Sequence, residues 1–150
     1  GTAGFAPCTA EACRELLRAH GIDPAGKRVT VVGRSLVIGR PAALLLTRAD
    51  ATVTLCHRKT PDLAARCRDA DILLAAAGAP GLITTDFVRP GQIVLDAGAT
   101  ALPDGTLRGD VAPDAAAITV CTPVPGGIGS VTTALLLRHT VQAAENLRHF

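Results

Sequence analysis

Four short runs of nearly unbroken apolar residues constrain this chain more than any other feature. They are Arg28-Val29-Thr30-Val31-Val32 before Gly33, Ala51-Thr52-Val53-Thr54-Leu55-Cys56 before His57, Asp71-Ile72-Leu73-Leu74-Ala75-Ala76-Ala77 before Gly78, and Gln92-Ile93-Val94-Leu95-Asp96 before Ala97-Gly98. A strand wet on one face alternates apolar and polar residues, whereas one covered on both faces has no need to. Helical stretches separate the runs. One carries Pro41 in its first turn and continues through Ala42-Ala43-Leu44-Leu45-Leu46, and another spans Pro61 to Arg68. A further helix is expected at the start, with Thr9 as N-cap, Cys13, Leu16, Leu17 and His20 along one face, and Gly21 as the stop. A long one runs from about Val131 to Leu147.

Strands that alternate with helices in this way predict an α/β fold: a doubly wound parallel sheet with helices on both faces. The 150 residues are read as one domain, with residues 1–25 a linker helix leading in and residues 130–150 the C-terminal helix. In such sheets ligands bind beyond the carboxyl ends of the strands. The segments after Val32, Cys56, Ala77 and Asp96 are therefore expected to line one crevice, and Leu102-Pro103-Asp104-Gly105 to form an exposed turn.

Composition narrows the chemistry. Trp and Tyr are absent and Phe occurs three times, which excludes an aromatic base-stacking surface and any tyrosine acid. A net charge of +2 predicts no attraction to nucleic acid or to a membrane surface, and no apolar run reaches the length of a membrane span. Five cysteines (Cys8, Cys13, Cys56, Cys67, Cys121) are odd in number, contain no Cys-x-x-Cys, and leave Cys8 and Cys13 without a neighbouring His for a zinc site. They read as reduced thiols of a cytoplasmic chain that holds no metal. The start at Gly1, with no Met anywhere, reads as an excised segment of a longer protein.

The segment Gly33-Arg34-Ser35-Leu36-Val37-Ile38-Gly39-Arg40-Pro41 stands where a dinucleotide fold places its phosphate loop. Small residues there let backbone N–H groups and a helix N-terminus approach a pyrophosphate. Its spacing departs from G-x-G-x-x-G, with Ser35 and Ile38 at the second and third glycine positions and Gly39 one residue late. A purely structural strand–helix turn stays open as the alternative. At the end of the second run, where an NAD-binding domain usually has a carboxylate, stands Cys56-His57-Arg58-Lys59-Thr60. Two cations and a hydroxyl suit a 2′-phosphate, since Arg offers phosphate a planar fork. The competing reading is a solvated basic turn, with His57 a hydrogen-bonding residue.

Taken in order, Pro7-Cys8-Thr9, Gly33-Arg34-Ser35 with Gly39-x-Pro41, Thr52 to His57, Ala70-Asp71-Ile72, Gly109-Asp110-Val111 and Pro123-Val124-Pro125-Gly126-Gly127-Ile128-Gly129 form a specific series. The series resembles the cofactor-binding domain of bifunctional methylenetetrahydrofolate dehydrogenase/cyclohydrolase, over almost the whole chain. The resemblance implies a Rossmann-like domain of a cytoplasmic one-carbon enzyme that holds NADP, with NAD as the alternative. The family oxidises methylenetetrahydrofolate by hydride transfer and then hydrolyses the methenyl product. By that likeness Gly33, Arg34 and Ser35 bind the cofactor and Arg58 meets the 2′-phosphate. Ala99 stands where the family commonly has an Ile near the nicotinamide, and Thr132 starts the helix behind the folate. Pro125, Gly126 and Gly129 shape the wall facing that folate. Read from the residues alone, the same Pro/Gly loop is a rigid connector into the last helix.

Several positions depart from the family pattern. Ala10 replaces a Pro, Ala97-Gly98-Ala99-Thr100 replaces V-G-I-N, and Ser130-Val131 replaces Pro-Met, which implies a looser nicotinamide pocket. The family's acid/base Lys and Tyr belong to an amino-terminal domain upstream of Pro7-Cys8-Thr9. No residue here is assigned a catalytic role, and neither Lys27 nor Lys59 fits one. The expectation is an NADP domain inactive by itself, a homodimer in the intact protein, meeting tetrahydrofolate derivatives through the missing domain. A naturally truncated, non-catalytic nucleotide-binding or partner module is the alternative.

Overall fold

In the first apolar run, successive side chains point to opposite sides of the sheet, and both sides are covered. The computed structural model describes residues 4–147. Strand β1 (Arg28–Val32) sends Val29 and Val31 into one apolar cluster and Val32 into another. Between them Thr30 is buried, its hydroxyl donating to the Arg66 carbonyl at 3.0 Å. Strand β3 (Ile72–Ala75) repeats the division, with Ile72 and Leu74 on one side and Leu73 and Ala75 on the other. Helices α1 (Cys8–Ala19), α2 (Gly39–Thr47) and α5 (Ile128–Leu147) cover the first side, and α3 (Leu63–Arg68) and α4 (Pro113–Ile118) the second.

The parallel sheet runs β2-β1-β3-β4-β7, with β2 spanning Thr52–Cys56, β4 Ile93–Asp96 and β7 Val120–Cys121. Chain order reverses between β1 and β3, the switch point at which doubly wound sheets open a crevice. A separate antiparallel pair, β5 (Thr100–Ala101) and β6 (Leu107–Arg108), brackets the exposed turn expected at residues 102–105.

Several expectations need correction. Thr9 is not an N-cap: α1 begins at Cys8 behind Pro7, and the Thr9 carbonyl accepts from the Cys13 thiol inside the helix. His20 is exposed, and the buried face of α1 is Ala10, Glu11, Ala12, Cys13 and Leu17. Helix α5 begins at Ile128, three residues before Val131, so Thr132 lies in its second turn instead of starting it. Coverage of both faces does not extend to β2, an edge strand whose Thr52, Thr54 and Leu55 are exposed. Thr52 and Thr54 alternate with Val53 and Leu55 there, the pattern of a partly wet strand, although β-branched threonine also suits a covered one. The short β7 and α4 carried no usable periodic signal. Residues 1–3 and 148–150 of the expected linker and C-terminal helix lie outside the described residues.

Candidate functional site

Residues beyond the carboxyl ends of the strands frame two cavities joined by the loop after β1. The first, about 570 Å³, lies at the switch point and is lined by Gly33, Arg34, His57, Arg58 and Lys59 on one side and residues 77–79 on the other. Its lining holds three cationic side chains and no carboxylate. The tip that presents Arg58 and Lys59 is a closed turn: the His57 N–H donates to the Thr60 hydroxyl at 2.9 Å, and the Thr60 N–H to the His57 carbonyl at 2.7 Å. The Lys59 N–H donates to His57 Nδ1 at 3.2 Å, so His57 is a hydrogen-bonding residue of the turn.

The loop 33–39 is built around glycines and one serine. Gly33 has φ +122°, and a Cβ there would run into the Ala76 carbonyl. A Cβ at Gly39 would run into the Gly33 carbonyl, which explains why the second glycine of this loop stands at 39. Ser35 Oγ accepts from the Ile38 and Gly39 N–H groups at 3.0 and 3.4 Å, and the Ser35 carbonyl from the Arg40 N–H at 3.1 Å. The first amides of α2 are thus hydrogen-bonded within the loop itself. Both acceptor positions of the Ser35 hydroxyl are filled and its proton is left to donate, while Ser35 itself lines neither of these two cavities.

The second cavity, about 420 Å³, is lined by Ile38 from the same loop, by residues 96–99 after β4, by residues 123–130, and by Thr9 and Thr132. It brings together Ala99, Pro125, Gly126, Gly129 and Thr132. Thr132 donates to the Ile128 carbonyl at 2.9 Å and sits 3.5 Å from the Thr9 hydroxyl, which fastens α5 to α1 at the rim. Gly126 has φ +101° and faces open space, while the following Gly127 N–H donates to the Pro123 carbonyl at 3.0 Å. At Gly129 the φ is unexceptional and a Cβ would meet nothing within 4 Å, so packing does not demand that glycine.

Sequence reasoning assigned no role to the two buried carboxylates that hold this rim. Asp96 accepts from the N–H groups of Gly98 and Asp110 at 2.9 Å and of Val111 at 3.0 Å. Asp110, wholly buried, accepts from Ala77 at 2.6 Å, Gly78 at 3.0 Å and Ala79 at 2.8 Å. Loops after β3 and β4 are thereby tied to one another through segment 109–111. Burial pushes the Asp96 carboxyl above the usual carboxylate range, against the pull of its three amide donors. A Cβ at Gly98 would collide with Asp110 and one at Gly109 with the Asp96 carboxylate, so each carboxylate imposes a glycine on the other's loop. The signal available was Asp96 next to Ala97-Gly98 and Gly109 next to Asp110, but no local pattern pairs them.

A sheet of this order, with a cationic cavity at the switch point and a second cavity along the same loop, defines a dinucleotide-binding α/β domain of the Rossmann-like kind. Residues 7–148 match the tetrahydrofolate dehydrogenase/cyclohydrolase NAD(P)-binding domain, and the chain belongs to that family. It is 60% identical over 144 residues to bifunctional protein FolD 1 of Rhodococcus jostii, covering 93% of this chain and 48% of that protein. Bifunctional protein FolD of Moorella thermoacetica is 51% identical over 142 residues, covering 93% and 51%. The crystal structure of the FolD methylenetetrahydrofolate dehydrogenase/cyclohydrolase of Campylobacter jejuni superposes with a TM-score of 0.91 at 43% identity, over 97% of this chain and 52% of that one. A Trypanosoma brucei methylenetetrahydrofolate dehydrogenase-cyclohydrolase, complexed with NADP and an inhibitor, gives 0.84 at 44% identity, over 91% and 50%. This chain therefore spans about half the length of the relatives it matches. Among the described residues no helix is long and apolar enough to cross a membrane.

Proposed function

We propose that this domain binds NADP in the crevice at the β1/β3 switch point and presents it to 5,10-methylenetetrahydrofolate. The observation that carries the reading is the cation set Arg34, Arg58 and Lys59 around a cavity whose lining has no carboxylate. Arg58 takes the 2′-phosphate, which a ribose-binding carboxylate would repel. Gly33 lets the backbone come close, and Ser35, whose hydroxyl can only donate, offers its proton to a phosphate oxygen. Loop 33–39 reaches both cavities, so residues on either side of it, from the cationic turn to Ala99, would hold a dinucleotide.

Bound NADP would supply a hydride acceptor for the folate's methylene carbon. The chain's residues hold the two reacting carbons close and exclude bulk from between them. Pro125, Gly126 and Gly129 form a wall without projecting side chains for a flat folate ring, with Thr132 behind. Proton transfer for cyclohydrolysis falls to groups outside these 150 residues, so the domain alone is expected to show no turnover. We further propose a cytoplasmic setting, in keeping with five free thiols, and a homodimer, in keeping with the open ladder edge of β2. Sedimentation tests the dimer.

Calorimetric titration of the chain with NADP and NAD tests the main reading. Tighter binding of NADP by about tenfold is expected from one charged phosphate contact. Failure of both to bind at millimolar concentration refutes the site, and a preference for NAD refutes the role of Arg58.

A further inference from the structure

At the far side of the α1–α5 joint, three side chains meet that the cofactor site does not use. His139 of α5 is buried, and its Nε2 lies 3.0 Å from Glu11 Oε2 of α1. Its other nitrogen, Nδ1, lies 3.5 Å from Cys8 Sγ, in the first residue of α1. Phe5 stacks on the imidazole with ring centroids 4.5 Å apart, and Arg138 donates to the remaining Glu11 oxygen at 2.6 Å. The two sequence-distant positions 8 and 139 thus supply the cysteine–histidine pair that local spacing lacked.

The geometry suits one tautomer of the neutral ring: with Glu11 accepting at Nε2, Nδ1 presents a lone pair to the thiol. Cys8 is then the donor, its proton aimed at a base that a carboxylate orients from behind. The first turn of a twelve-residue helix adds amide dipoles on the side where a thiolate would form. Cys8 is half-buried, not enclosed.

The other thiols differ. Cys13, Cys56 and Cys67 are buried. Burial pushes the Cys13 and Cys67 thiols up to about 12, and the half-buried Cys121, helped by the nearby Asp96 charge, up to about 11.

We propose that Cys8, with His139 as base and Glu11 as the group orienting it, is a site of S-thiolation by small disulfides. In the exchange His139 Nδ1 takes the thiol proton and Cys8 Sγ attacks one sulfur of the disulfide. The Cys8–sulfur bond forms as the disulfide bond breaks, and the departing thiolate receives the proton from His139. Cys8 and one sulfur of the reagent end as a mixed disulfide, the other as a free thiol, with no further oxidant. The reaction is independent of cofactor binding, so its failure and that of the NADP site are distinguishable.

The test is incubation of the chain with glutathione disulfide, followed by peptide mapping at timed intervals. Cys8 is expected to be modified first, and about tenfold faster than in His139→Asn, while the slower rate at Cys121 is the same in both. Far-UV circular dichroism checks that the variant is folded. Should it not fold, Glu11→Gln takes its place, with a several-fold slower Cys8 expected. A third reading needs no variant: Cys8 of the native chain reacts faster than Cys8 in urea, where all five thiols converge. The proposal is overturned if Cys8 trails Cys121, if folded variants leave its rate unchanged, or if unfolding accelerates it.

Discussion

The two cavities along loop 33–39 are built on opposite principles. The one at the switch point presents charge from an exposed turn: Arg58 and Lys59 stand in solvent, and the turn beneath them closes through its own four residues. The rim of the other is fixed by Asp96 and Asp110, two buried carboxylates that each accept three backbone N–H groups, two of Asp96's and all of Asp110's from distant segments. An exposed cation can be exchanged with little consequence for the fold, because water solvates whatever replaces it. A buried acceptor cannot, because each amide it abandons stays unsatisfied. On the proposed reading, specificity for the ligand and integrity of the crevice are carried by different residues, and mutation separates them.

The largest effect is expected at the hinge between the two cavities. Gly33→Ala forces a Cβ against the Ala76 carbonyl at a positive φ, and overpacking of this kind should lower stability by about 3 kcal/mol or more. Urea denaturation measures it, and a loss under 1 kcal/mol would mean that loop 33–39 and residue 76 shift apart with ease. Asp110→Asn comes next. The amide can satisfy at most part of the three donors, and a destabilisation of about 2–3 kcal/mol is expected by the same measurement.

Arg58→Ser probes the exposed cavity. Stability should be unchanged within about 0.5 kcal/mol, while NADP affinity falls about tenfold and NAD affinity holds. A parallel loss of both ligands in the titration would break the contrast by making Arg58 structural. Gly129→Ala is the mirror of Gly33→Ala, since open space awaits its Cβ on a helix. A gain of up to about 1 kcal/mol is expected in thermal unfolding, and a loss would show that the open wall is packed after all.

The smallest effect lies at the opposite end of β3, where Asp71 pairs with Arg28 at 3.1 Å and Arg89 at 3.5 Å in partial solvent exposure. Hydrogen bonds from Arg28 hold the Asp71 carboxyl down at about 2. Its folded value lies below the unfolded one, so the pair stabilises the chain above about pH 4, and this contribution disappears as pH falls through 2. Asp71→Asn should therefore melt slightly below the parent at pH 7 and level with it near pH 2. A gap that persists at pH 2 would assign the loss to packing instead of charge.

Legibility followed the same divide. Arg58 and Lys59 were readable because their chemistry lies in consecutive residues and the turn needs nothing from elsewhere. Gly33 and Pro41 were readable as a strand–helix junction, yet the need for Gly39 became visible only once its neighbour, the Gly33 carbonyl, was in place. Thr9 looked like a cap by type and position. In the fold it lines the second cavity beside Thr132, because α1 starts two residues earlier, with Pro7 at its N-cap.

By itself the sequence determined the layered α/β plan, since continuous apolar runs exclude a half-wet sheet and strand–helix alternation dictates parallel pairing. It also determined the charge of the turn at residues 57–60. Tertiary structure alone decided that β2 lies at an open edge, that Asp96 and Asp110 clamp the loops after β3 and β4, and that Cys8 meets His139. Local pattern records what a residue does with neighbours three or four positions away. A buried carboxylate or a thiol–imidazole contact depends on groups brought together from 14 to 131 positions apart. That proximity arises from strand order and helix packing, which no single segment encodes.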